Sequence, residues 1–203
     1  MNKIKTIIFD FDGVIHDTFE LNLKVSCEFE KRNISRNEYK DYFNGNLFSH
    51  KNLKQTSDDG HNDFYNMIKG GYSLLKIEKE IEKELYLLSE KYNLHIISSN
   101  RESILKDYLH LHNLKEIFKE ILGFETHKSK VEKFKILLER YNLNKDESIF
   151  ITDTLGDILE ANKVGIKTIA VDFGFHERER LERGNPFKII SSFNDIRKII
   201  FKP

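Results

Sequence analysis

Short apolar runs alternate with longer segments of helical spacing along this chain. Ile4, Ile7, Ile8 and Phe9 read as a buried strand. So do Leu94 to Ile97, Glu120 to Phe124 (EILGF), SIFIT before Asp153, and TIAVDF from Thr168. Between the runs, apolar residues recur every three to four positions, the period of a helix face. Leu74, Ile77, Ile81, Leu85, Leu88 and Tyr92 form one such series. Leu105, Tyr108 and Leu109 form a second, and Val131, Phe134, Leu138 and Tyr141 a third. Ser129-Lys130-Val131-Glu132 has the form of a capping box. Gly165 suits the C-cap of a helix that starts near Leu155. Strands alternating with helices predict a three-layer α/β fold around a mostly parallel sheet.

One region departs from this alternation. From Asp17 to about Lys69 the chain is polar and helical in pattern, with no convincing strand. Turn clusters stand at Asn44-Gly45-Asn46 and Ser57-Asp58-Asp59-Gly60, and Gly70-Gly71 reads as a hinge or break.

Three of the strands end in polar residues: Asp10 and Asp12, Ser98 and Ser99, and Asp153. In a parallel sheet these ends lie on one edge, where open α/β sheets bind ligands. Asp10 and Asp12 would point the same way on a continuing strand, and Gly13 permits a sharp turn after them. Two close carboxylates repel, so the pair implies either a bound metal or a shared proton. Asp157, four residues after Asp153, adds a fourth acid. Oxygen ligands without His or Cys favour Mg²⁺, which binds through one or two carboxylates plus substrate phosphate. Ser98 and Lys130 supply a hydroxyl and a cation for phosphate, Lys130 near a helix N-terminus. The chemistry indicated is metal-assisted phosphoryl transfer.

Composition narrows the setting. The 203 residues allow one good-sized domain, or a core with a small insertion. Lys plus Arg and Asp plus Glu balance at 33 each, so nucleic acid is not an expected partner. No apolar run is long enough to cross a membrane, and the apolar N-terminal run is broken by Asp10 and Asp12, unlike a signal peptide. A cytoplasmic protein is the simplest expectation. The single cysteine, Cys27, excludes an intrachain disulfide and reads as a packing residue.

DFDGVIHDT, IISSN, HKSKVEK and FITDTLGD, in this order, resemble the four signature motifs of the haloacid dehalogenase superfamily. AVDFGFHERERLERGNP resembles the tail of its phosphoglycolate-phosphatase-like members. The resemblance implies a Rossmann-like core, residues 1–16 and 78–203, and a small all-helical cap, residues 17–77, inserted after the first strand. It implies a phosphatase of a small phosphorylated metabolite. Asp10 would be the nucleophile and Asp12 the acid and base. Asp10, the carbonyl of Asp12 and Asp153 would hold Mg²⁺, with Asp157 close by or acting through water. Ser98, or its neighbour Ser99, and Lys130 would hold the phosphoryl oxygens, with Lys128 competing for the lysine role. Thr152 stands where the family usually has Gly, and the third motif lacks the proline that often follows its lysine. A sugar phosphomutase would share every one of these residues, and a non-catalytic binding protein would be expected to have a damaged site.

Other polar residues take plainer readings. His16 is a solvated hinge residue, and ERERLER a solvated helix face with internal ion pairs. Lys24, Arg32, Arg36, Lys51 and Lys54 read as surface charges.

Overall fold

The computed structural model describes residues 3–49 and 58–201. Lys51, Lys54 and Ser57 lie outside the described residues. Strand β1 (Thr6–Phe9) leads into a helical insertion of α1 (Phe19–Glu30), α2 (Arg36–Asp41) and α3 (Asp58–Tyr72). Then come α4 (Lys79–Ser89), β2 (Asn93–Ile97), α5 (Glu102–Leu111), β3 (Phe118–Leu122) and α6 (Lys130–Arg140). The chain continues through β4 (Ser148–Thr152), α7 (Leu155–Val164), β5 (Lys167–Val171), α8 (Arg178–Glu182), β6 (Lys188–Ile190) and α9 (Asp195–Ile200). Among the described residues no helix is long and apolar enough to cross a membrane.

The six strands lie in the order β3-β2-β1-β4-β5-β6, and every pairing is parallel. This is the doubly wound α/β order, whose direction reverses between β1 and β4. Strands β1 and β4 are buried at every residue, as a sheet covered on both faces requires. One core cluster joins Ile7, Phe9, Ile96 and Ile151 to α4, α5 and α9. A second joins Ile8, Ile97 and Phe150 to Phe134 and Leu137 of α6 and Ala161 of α7. Glu84, buried on α4, accepts two hydrogen bonds from Arg197 at 2.9 Å each and so ties α9 to the sheet.

Several local expectations are corrected. Gly70 and Gly71 lie in the last turn of α3 rather than at a break. A Cβ on Gly71 would stand 2.5 Å from a methyl of Leu21, so glycine here permits close packing of α3 on α1. Asp58 to Gly60 open α3 instead of forming a turn. The helix expected from Leu74 to Tyr92 spans only Lys79–Ser89, and Leu74 is 80% exposed. Helix α6 buries Lys130, Lys133, Phe134 and Leu137, a stripe rotated from the expected one, and leaves Tyr141 exposed. Ser129 is at the N-cap of α6, but its hydroxyl donates to Glu160 instead of closing a capping box.

Candidate active site

The register of the sheet assembles the site. Phe9 pairs with Ile96 on one side and with Ile151 on the other. Asp10, Ser98 and Asp153 therefore leave neighbouring strands at nearly one level. Gly13 then turns with φ +75°, and a Cβ there would stand 1.9 Å from Asp153 Oδ2. Only glycine allows this turn to pack on the acid at the end of β4. The cavity that results has a volume of about 80 Å³. Asp10, Asp12, Ser98, Ser99, Lys130 and Asp157 line it, whereas Asp153 does not and is buried against Gly13 and Phe175.

Lys130 organises the floor. Its Nζ lies 2.8 Å from Asp10 Oδ2 and 2.6 Å from Asp157 Oδ2, and all three residues are buried. Lys128, the competing lysine, has its Nζ over the Phe124 ring and its carbonyl bonded to Asn46. The other oxygen of Asp10 accepts from the Phe11 N–H at 2.7 Å. Thr152, at the position where the family pattern has Gly, donates to Asp157 Oδ2 at 2.7 Å. Burial pushes Asp10 well above the usual carboxylate range, with Lys130 opposing and Asp157 adding to the rise. Burial acts in the same sense on Asp157, yet Lys130 and the hydrogen bonds from Asp10, Lys130 and Thr152 outweigh it and hold Asp157 low. Lys130 stays charged: its own burial disfavours the cation, but the two carboxylates prevail.

Asp153 is the least satisfied of these acids. It is fully buried, and one oxygen accepts from the Phe175 N–H at 2.7 Å. Among the described residues its Oδ1 has no hydrogen-bond partner. Burial pushes its carboxyl up to about 8. Among the described residues no three acidic, His or Cys side chains form a ready-made metal cage. A hard cation that needs only one or two carboxylates and completes its shell with phosphate and water fits this arrangement. The orphan oxygen and the raised acids are what such a cation would relieve.

Asp12 belongs to a different environment. Its Oδ1 accepts from Thr18 Oγ1 at 2.6 Å, from Asn22 Nδ2 at 3.4 Å and from the Tyr72 hydroxyl. Its Oδ2 accepts from Asn100 Nδ2 at 3.3 Å. Ser98 Oγ accepts from the Asn100 N–H at 3.0 Å, which leaves its own hydrogen free to donate into the cavity. Lys133, fully buried, donates to the carbonyls of Ser98 and Gly123 and so fixes the end of β2. Burial, with Lys130 nearby, pushes Lys133 down to about 7.

The insertion closes the cavity from above. Phe43, Leu47, Phe64, Tyr65 and Ile68 supply its apolar wall, and Tyr65 donates to the Ser99 carbonyl at 2.7 Å. The Gly156 N–H donates to the Phe43 carbonyl at 2.8 Å. Asn46 donates to Glu160 and to the Lys128 carbonyl. His176 is buried between the two parts. Its Nδ1 accepts from the Leu155 N–H and its Nε2–H donates to the Lys40 carbonyl, both at 2.9 Å. ERERLER is less solvated than expected: Leu181 is buried, and Arg180 reaches Asp41 at 2.6 Å. Lys40 pairs with Glu177 from the opposite side. His16 is likewise half-buried, sharing a 2.9 Å hydrogen bond with Tyr108. Arg32 and Arg36 pair with Glu30, Glu38 and Glu20 at the surface, and Lys24 is exposed.

Sequence reading missed Thr18, Asn22, Tyr72, Asn100, Lys133, Glu160 and His176 as members of this site. Asn100 carried a signal, since it follows directly on the polar end of β2. The others lie on helix faces or beyond the strand ends, where a single polar residue is unremarkable in sequence.

Residues 7–171 match the profile of the haloacid dehalogenase-like hydrolases, and the chain belongs to that family. A protein of Caldanaerobacter subterraneus subsp. tengcongensis, named provisionally as pyrophosphatase PpaX, is 27% identical over 98% of this chain and 95% of its own length. A phosphoglycolate phosphatase of Vibrio parahaemolyticus is 20% identical over 97% of this chain and 96% of its own. A haloacid dehalogenase-like hydrolase from Streptococcus pneumoniae has the same fold, with a TM-score of 0.76 at 21% identity, covering 98% of this chain and 99% of its own.

Proposed function

We propose that this chain is a Mg²⁺-dependent phosphatase that hydrolyses a small phosphorylated metabolite through an aspartyl-phosphate on Asp10. The observation that carries the reading is the division of labour between two acids on one cavity. Asp10 is buried against Lys130, while Asp12 stands apart with its own four donors. Relatives named for phosphoglycolate and pyrophosphate hydrolysis support a phosphate substrate.

Asp10, the carbonyl of Asp12 and Asp153 would hold the metal, with Asp157 close by or acting through water. When bound, such an ion would neutralise charge on the phosphoryl group. Asp10 attacks phosphorus, a P–O bond to Asp10 forms, and the bond to the ester oxygen breaks. Asp12 gives its proton to the departing oxygen, then takes one from the water that cleaves the aspartyl-phosphate. Lys130 and the Ser98 hydroxyl hold the phosphoryl oxygens, with the Ser99 backbone beside them. The helical insertion, residues 17–77, acts as a cap that excludes water, and the small cavity restricts the leaving group.

The test is phosphate release from a panel of esters: phosphoglycolate, sugar phosphates, nucleotides, pyrophosphate and 4-nitrophenyl phosphate. It is run with Mg²⁺, with chelator, and with Asp10→Asn. Mg²⁺-dependent release that disappears in the variant is expected. Release undiminished by chelation, or full activity in a folded Asp10→Asn protein, overturns the reading.

A further inference from the structure

Thr18 lies close to Asp12 in sequence, but two more of its donors come from the insertion and have no assigned part. Tyr72 ends α3 and Asn22 lies on α1. Both are buried, and they bond to each other, Asn22 Nδ2 lying 3.2 Å from the Tyr72 oxygen. Tyr72 is held in place by the residue between the two acids. Its ring stacks on Phe11 with centroids 6.2 Å apart and planes at 25°. Phe11 in turn meets Tyr108 edge-on at 5.0 Å. The Asp-Phe-Asp sequence thus directs its acids to the cavity and uses its aromatic ring to seat the phenol that reaches one of them. Gly71, packed on Leu21, lets α3 come close enough to α1 for this contact.

The donors are not spread evenly over the carboxylate. Oδ1 receives Thr18, Asn22 and Tyr72, and Oδ2 receives only Asn100. An oxygen with three donors has little capacity left to carry a proton. Of the two oxygens, Oδ2 therefore has the more room for a proton and is the one less occupied by donors.

We propose that Tyr72 and Asn22 are positioning residues for acid catalysis, and that they select Oδ2 of Asp12 as the oxygen that transfers the proton. The inference rests on the phosphatase reading and on Asp12 as its acid. In the step concerned, the Asp10–phosphorus bond forms and the phosphorus–ester oxygen bond breaks. The proton on Asp12 Oδ2 moves to that oxygen, which leaves as an alcohol. Without Tyr72 and Asn22 the carboxyl is held only by Thr18 and Asn100, and proton delivery is less tightly directed. Because Tyr72 and Asn22 sit on the insertion, the full set of donors is assembled when the insertion is seated.

A purely structural role would lower activity on every ester alike. A positioning role has a signature, because a poor leaving group needs the proton and a good one does not. The experiment measures kcat and KM for ethyl, phenyl and 4-nitrophenyl phosphate with the unmodified protein, Tyr72→Phe, Asn22→Ala and Asp12→Asn. Tyr72→Phe keeps the ring on Phe11 and removes only the hydroxyl. The loss of kcat in Tyr72→Phe is expected to be about tenfold greater for ethyl than for 4-nitrophenyl phosphate. Asn22→Ala should show the same ordering with a smaller spread, and carries the comparison alone if Tyr72→Phe does not fold. Asp12→Asn should show the widest spread. Equal losses across the three esters in both insertion variants, beside a wide spread in Asp12→Asn, overturn this inference alone. An unmodified protein that releases phosphate from none of them overturns the phosphatase reading and this inference together.

Discussion

The floor and the roof of this cavity are built on different principles. The floor is ionic: Lys130 bridges Asp10 and Asp157 within 2.8 Å, and Asp153 keeps an oxygen without a partner among the described residues. The roof faces the cavity with uncharged side chains and aromatic rings, Tyr65, Tyr72 and Asn22 reaching down to the strand ends, while its ion pairs, Lys40–Glu177 and Arg180–Asp41, lie outside the cavity. Charges buried in the floor must be held rigidly because burial is costly to each; on the proposed function they would face a phosphoryl group and a cation. Neutral contacts in the roof can be made and released at about 1 kcal/mol each, which suits a lid. The two regions should therefore fail differently when altered.

The largest effect is expected in the floor. Lys130→Met keeps the length of the side chain and removes its charge, leaving Asp10 and Asp157 facing each other unneutralised. Breaking a buried ion pair by deleting one partner costs about 3 kcal/mol or more, and loss of a charge on the transferring group costs about a hundredfold to a thousandfold in rate. Both should appear together, in chemical denaturation and in turnover. A Lys130→Met protein with normal stability and slow turnover would show that the floor is organised by something other than this bridge.

A smaller effect is expected at the seam. Gly156, the glycine of the fourth motif, has no room for a side chain: a Cβ would stand 2.1 Å from the Gly45 carbonyl oxygen and 2.8 Å from that of Phe43. Gly156→Ala should lift the insertion off the N-terminus of α7 while leaving Lys130 and its acids in place. The expected outcome is about a tenfold fall in kcat/KM with a stability loss of about 1 to 2 kcal/mol. Unchanged kinetics would mean that the insertion is not seated through this loop during turnover.

The same contrast decides what could be read from sequence. The floor was legible because its acids end apolar strands, and a parallel sheet brings strand ends to one edge. Lys130 was named with Lys128 beside it, and only the turn of α6 separates them. That helix was expected to bury Val131, Phe134, Leu138 and Tyr141, whereas two lysines occupy its inward stripe. Hydrophobic periodicity cannot signal a face on which buried charges replace apolar residues. The roof was legible only as helical pattern. Gly70-Gly71-Tyr72 gave no sign that the tyrosine meets Asp12, because that contact depends on how α3 crosses α1. Strand β6, three residues long and starting with Lys188, is too short for any periodic signal, and α9 depends on Arg197 and Glu84 meeting across the fold.

The smallest effect should come from beneath the floor, and it separates scaffold from chemistry. His95 on β2 is fully buried three residues before Ser98, and neither ring nitrogen has a hydrogen-bond partner among the described residues. Tyr141 meets its ring edge-on at 5.0 Å. Burial pushes the imidazole down to about 4 from an ordinary 6.5. The unfolded chain therefore takes up a proton between pH 6.5 and 4 that the folded chain refuses. Folding stability contributed by neutral His95 is fully present above pH 6.5 and is lost as the pH falls through this window. His95→Leu removes that linkage and replaces two unsatisfied nitrogens with hydrocarbon. Denaturation midpoints should rise slightly at pH 7.5, and the loss between pH 6.5 and 4.5 should shrink by about 2 kcal/mol. His176, whose imidazole burial likewise pushes down to about 4, remains in the variant and keeps part of the acid transition. Turnover at pH 7.5 should stay within about twofold, since His95 faces α6 and not the cavity. An unchanged acid profile would place the acid sensitivity elsewhere. A large loss of turnover would mean that the strand bearing Ser98 cannot be altered without moving the floor it supports.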